Sequence, residues 1–207
     1  MKLLLLTSIA LVYCSLIANT HIKSKAFIKP VSDTMNISYT YWQGNNGGPF
    51  PHLCGGPYSI AFTGTITKLY SSKYNDDLNF MFQKGVIKIN SILVKNAPET
   101  YKYSKPVQVY KNESYLTSDC FYRLNLKEGD KVMIFVYSYE DDYCIPPNSI
   151  LKVNSFNDPA ITSIKKYIQS NYNPLTIKND GAIWKKHNQE KALQQIIDCK
   201  IESQNEK

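Results

Sequence analysis

Cysteine is the residue type in this sequence with the most chemistry to offer, and it occurs five times, at Cys14, Cys54, Cys120, Cys144 and Cys199. A thiol can be a nucleophile, a metal ligand or a disulfide partner, and its neighbours decide which. Nucleophilic work needs a Ser or Cys with a His base and an orienting acid. Three His are present, His21, His52 and His187, and none stands in such an arrangement. No Gly-x-Ser-x-Gly elbow, His-Glu-x-x-His pair or phosphate-cradling Gly loop occurs. His52 precedes Cys54 at a metal-pair spacing, but two ligands do not make a zinc site. His187 sits among Lys185, Lys186 and Asn188 and reads as a surface residue. Glu140-Asp141-Asp142 offers oxygens for Ca²⁺ but lacks the Gly and spaced ligands of a calcium loop, so it reads as a solvated hairpin tip. No catalytic residue, metal or cofactor is therefore assigned, and the chain is read as non-enzymatic.

What the cysteines do depends on where the chain resides. Met1-Lys2 is followed by an apolar run from Leu3 to Ala18, and Ala18-Asn19-Thr20 offers small residues for cleavage. This is the pattern of a secretory signal over residues 1–20. The run is at the low end for spanning a bilayer, and no later stretch is apolar enough to do so. The expected location is secreted or extracytoplasmic, in a periplasm or at a cell surface. Loss of the signal removes Cys14 and leaves Cys54, Cys120, Cys144 and Cys199, an even count that reads as two disulfides in an exported chain. Four Cys allow three connectivities, and four buried thiols are the reading for a chain that stays in the cytosol.

The elements that must position these residues are mostly strands. The chain has 207 residues, 43% hydrophobic and 20% charged, which suits one globular domain. Sixteen Tyr and 13% aromatic residues lean towards sheet. Net charge is +7, yet Arg123 is the single Arg, and Arg forks are what read base edges, so specific nucleic-acid recognition is excluded. Residues 21–57 form an irregular arm rich in Gly and Pro turns. Within it Tyr39, Tyr41 and Trp42 alternate with polar residues, either as a contact surface for a partner or glycan or as an added strand. Strand patterns follow at 60–69, 78–82, 86–95, 107–110 and 149–153, with Gly64 marking a bulge. Residues 121–126 lead into a Lys127-Glu128-Gly129-Asp130 turn, and 132–137 is apolar on both faces, a central strand covered on both sides. The expected fold is mainly β, a small OB-type barrel of five or six strands over 58–155. A helical appendage of two helices is expected over 156–207, one opening at Asp158-Pro159 and one near 188–201. Asn36-Ile37-Ser38 and Asn112-Glu113-Ser114 are glycosylation acceptors in a eukaryotic source.

Over residues 54–154 the order of features resembles the tissue-inhibitor-of-metalloproteinases and netrin-like family. The pieces are Ile60-Ala61-Phe62-Thr63-Gly64, then 87–95 with Ile87, Ile89, Leu93 and Lys95, then Cys120, then 127–135, then Cys144. The resemblance implies an OB-type barrel, and it implies bonds Cys120–Cys144 and Cys54–Cys199. Inhibitory members act through a Cys-x-Cys at the mature N-terminus; this chain has none, so no inhibitory residue carries over. What remains is a secreted non-enzymatic protein-binding module whose partner is a secreted or surface protein, protease-like in kind. The alternatives are a cell-surface structural or carbohydrate-binding module, or a secreted enzyme with an unrecognised site.

Overall fold

Strand residues here alternate between two cores. In β3 (Ile60–Leu69), Ile60, Phe62 and Ile66 enter one core, while Ala61 enters the other. In β8 (Lys131–Tyr139), Val132, Ile134 and Val136 face the first core, while Met133, Phe135 and Tyr137 face the second. The two-residue pleat makes this division, and it shows why 132–137 is apolar on both faces. The computed structural model describes residues 33–39, 47–51, 54–76, 79–96, 114–139 and 142–205. All of these fall in one unit, Ser32–Lys207. The expected signal, the 107–110 strand, Tyr41, Trp42, His52, Asn112, Glu140 and Asp141 lie outside the described residues.

The remaining strands are β1 (Thr34–Asn36), β2 (Ser38–Tyr39), β4 (Lys73–Asn75), β5 (Phe80–Phe82), β6 (Gly85–Lys95), β7 (Tyr115–Ser118), β9 (Asp142–Ile145) and β10 (Ile150–Val153). The main sheet runs β1-β7-β6-β3-β8-β9-β2, with β10 also on β8, and β4 pairs with β5 in a separate hairpin. Only Ile37 separates β1 from β2, yet β1 lies parallel to β7 at one edge and β2 parallel to β9 at the other. Ile37 N–H donates to Thr117 O at 3.0 Å in passing. Residues 34–39 thus span both edges and leave a nearly closed, barrel-like sheet. They fall inside the stretch read from sequence as an irregular arm. Among the described residues the sheet holds eight strands where five or six were expected, because 34–39 supplies two short pieces and β9 and β10 both lie along β8.

Met35, Ile37, Phe62, Ile87, Leu116 and Ile134 fill the barrel interior. The β3–β6 register shifts beside Gly64. A Cβ there would stand 2.5 Å from Ile87 Cγ2 and 2.7 Å from the Lys88 carbonyl, so the bulge needs Gly for the close approach of two backbones.

The second core lies under helices α1 (Pro159–Gln169), α2 (Gly181–Lys185) and α3 (Glu190–Asn205), with a 3-10 turn at Pro174–Ile177. Asp158 opens α1 as its N-cap, accepting from Ala160 N at 3.0 Å through one oxygen and from Asn154 N at 3.0 Å through the other. Ile161, Ile164 and Tyr167 then recur on the buried face. Trp184 on α2 is fully buried, stacks edge-on against Phe50 at 4.8 Å and donates to Ser163 Oγ at 2.9 Å. Two helices were expected; the extra one is five residues long and too short to show a periodic pattern. Among the described residues no helix is long and apolar enough to cross a membrane.

Cys54 is bonded to Cys199 on α3, with Cα atoms 5.2 Å apart. Between Cys54 and β3, Gly55 packs so closely on the Tyr167 hydroxyl that a Cβ would collide with it. The bond expected between Cys120 and Cys144 is not formed; both are thiols. Cys144 on β9 points into the helix-side core, whereas Cys120, just after β7, packs against the barrel-interior core. Side chains committed to two different cores do not meet.

Candidate functional site

A cleft of about 970 Å³ opens where four pieces of chain come together: β2, the β4–β5 hairpin, residues 119–124 after β7, and the 146–149 connection between β9 and β10. Its wall is mostly apolar and aromatic, with Tyr39, Tyr74, Phe80, Met81 and Tyr122 among the lining residues. Such a hollow, with few polar groups set in an apolar wall, is the usual form of a binding site.

The 119–124 segment is held from both sides. Gln83 N–H donates to Asp119 O at 3.3 Å, and Phe121 N–H donates to Gln83 O at 3.2 Å, which ties the segment to the end of β5. Leu124 N–H donates to Phe121 O at 3.2 Å and closes a tight turn. Phe121 is buried in the barrel and Leu124 packs against the same core, so Tyr122 and Arg123 between them are displayed at the cleft. Arg123 has φ +64°, the left-handed region. Asn79 (φ +52°) and Asn148 (φ +61°) also line the cleft with left-handed backbone. Asn adopts that conformation readily, but for Arg it costs about 1–2 kcal/mol that the surroundings must hold in place.

The polar groups divide into used and unused. Asp119 Oδ1 accepts from Tyr39 N–H at 2.7 Å, which fixes β2 to the segment and half-buries Tyr39 in the cleft wall. Arg123 is exposed, its guanidinium carbon stands 5.1 Å from the Tyr122 ring centre, and among the described residues no carboxylate lies within ion-pair reach of it. Cys120 also lines the cleft, but crowding by surrounding protein raises its thiol to about 12, so near neutral pH it is not a thiolate nucleophile. Among the described residues no His lines the cleft; His187 lies on the helix side with its ring 5.9 Å from that of Trp184, and burial lowers its pKa. Among the described residues no three His, Cys, Asp or Glu side chains converge to hold a metal ion.

Of the residues singled out from sequence, the fold brings Tyr39 and Cys120 to this cleft. Cys54 and Cys199 lie at the helical side and Cys144 in the core beneath it. Tyr39 lies in a strand, as one of its two sequence readings has it. Sequence reasoning missed Tyr74, Phe80, Tyr122 and Arg123 as site residues. A lone Arg beside a Tyr was the available signal, but nothing in the sequence marked the turn that displays it. No protein-family model matches the chain, and no curated protein matches it.

Proposed function

We propose that this chain is an exported, non-enzymatic binding module that engages a secreted or surface protein with the cleft-bearing end of its barrel. The observation that carries the reading is the convergence of Tyr39, Tyr74, Phe80 and Tyr122 from three separate chain segments onto one open hollow. Aromatic side chains bring large contact area at low entropic cost, which is how binding sites obtain affinity. The raised thiol of Cys120 and the engaged carboxylate of Asp119 favour recognition over chemistry at this place. The Cys54–Cys199 bond is compatible with an oxidising, extracytoplasmic location. We read the barrel as OB-type: β3 pairs with both β6 and β8, β6 with β7, and β8 with β9 and β10, leaving one gap that 34–39 occupies. That pairing supports kinship with the metalloproteinase-inhibitor and netrin-like family in architecture, without its zinc-directed N-terminus.

The test is affinity capture from the protein's own extracellular milieu with mass spectrometry of what is retained. Wild-type protein and the Ile201→Ala variant, altered on exposed α3, are expected to retain the same discrete protein. A Tyr74→Ala/Tyr122→Ala variant that stays folded by circular dichroism is expected to lose it by about tenfold or more, the effect of two aromatic contacts. Equal retention by all three, or retention of glycans alone, contradicts the proposal.

A further inference from the structure

We propose that Arg123 sets the specificity of the cleft, and that the segment it receives is an acidic peptide carrying a carboxylate next to an apolar side chain. The proposal rests on the protein-binding reading above and names the chemistry of the partner. Arg123 is the only Arg in the chain, every other cation being Lys. Among the described residues it is also the only cation that lines the cleft. A guanidinium offers a planar fork that matches a carboxylate with two parallel hydrogen bonds, which a Lys ammonium does not.

The side chain is poised for that use. Its backbone is fixed in a tight turn between two residues packed on the barrel core, so binding has only the side chain left to order. Its guanidinium carbon lies over the Tyr122 ring, 5.1 Å from the ring centre, and the side chain stays exposed to a ligand. Among the described residues the one carboxylate that lines the cleft, Asp119, is directed to Tyr39 N–H at 2.7 Å, so Arg123 is left to take its anion from a ligand. Phe80, Met81 and Leu124 line the same cleft and offer apolar surface for the neighbouring side chain. A sulfated glycan or other polyanion would need several cations in the cleft, and a single one fits a single carboxylate. The excess of basic over acidic residues, 24 to 17 in the full sequence, draws acidic partners from a distance.

The experiment selects random peptides displayed on phage against the folded protein and its Arg123→Gln and Arg123→Lys variants, each checked by circular dichroism. Wild-type protein is expected to enrich peptides with Asp or Glu beside an apolar residue. A synthetic peptide of the enriched sequence is expected to bind Arg123→Gln about 10- to 100-fold more weakly, and Arg123→Lys at an intermediate level. Enrichment without an acidic preference, or an acidic preference unchanged in Arg123→Gln, overturns this inference and leaves the protein-binding reading standing. Failure of the wild type to enrich any peptide overturns both.

Discussion

A Cys54→Ser/Cys199→Ser double variant is expected to unfold about 2–5 kcal/mol more easily than wild type. The bond closes a loop with a sequence separation of 145 residues. A loop of that length sets an upper value of about 5 kcal/mol, through the freedom it denies the unfolded chain. The folded state adds a second contribution. Cys54 joins the strap that carries the buried Phe50 to α3, whose Leu193, Ile196 and Ile197 complete the helix-side core. Without the bond the strap keeps the packing of Phe50 and its hydrogen bonds at Gly48 and Pro49, but its link to α3 is lost. Urea titration is the measurement. Reductant is expected to bring wild type down to the level of the double variant and to leave the variant itself unchanged. A wild-type midpoint indifferent to reductant contradicts a stabilising role for the bond.

Trp184→Ala is expected to cost about 3–5 kcal/mol, the range for deleting a large buried aromatic. Trp184 has no exposed surface, packs edge-on against Phe50, and stands at the meeting of α2 with the helix-side core. Its indole N–H also donates to Ser163 Oγ, and Ser163 is itself fully buried. Trp184→Phe separates the two effects. It keeps most of the apolar contact but leaves the Ser163 hydroxyl short of a partner, an expected loss of about 1–3 kcal/mol. A Trp184→Ala variant within about 1 kcal/mol of wild type would mean that the helical layer does not fold as one unit with the barrel, since buried-aromatic losses lie well above that figure.

Long, regularly patterned elements were legible in the sequence. The apolar run of β8 announces a strand covered on both faces, and the structure covers it with the barrel interior and the helices. Asp158-Pro159 marks the start of α1 because capping is a local hydrogen-bond requirement. Strand β1 was not legible and β2 was only one of two readings of the Tyr39 stretch, since three and two residues carry no period and their pairing depends on distant edges. Strand β7 at Tyr115–Ser118 was not read from sequence, since four residues carry too little pattern to mark it. Cys120 and Cys144 were assigned to each other through family likeness. The pleat places them in different cores, a matter of side-chain direction that residue order does not express. The cleft was the least visible feature. It is assembled from segments up to about a hundred residues apart, and its Arg123 is displayed by a backbone conformation that Arg seldom adopts.

Hydrogen exchange of backbone amides, with and without a peptide selected on the wild-type protein, tests most directly whether the cleft is where this protein binds. Slowed exchange confined to the cleft segments, residues 38–39, 79–81, 119–124 and 148–150, with α1 and α3 unchanged, is the expected footprint. Protection on the helical layer, with the cleft segments exchanging at their unbound rate, would place binding elsewhere and remove the function from the cleft.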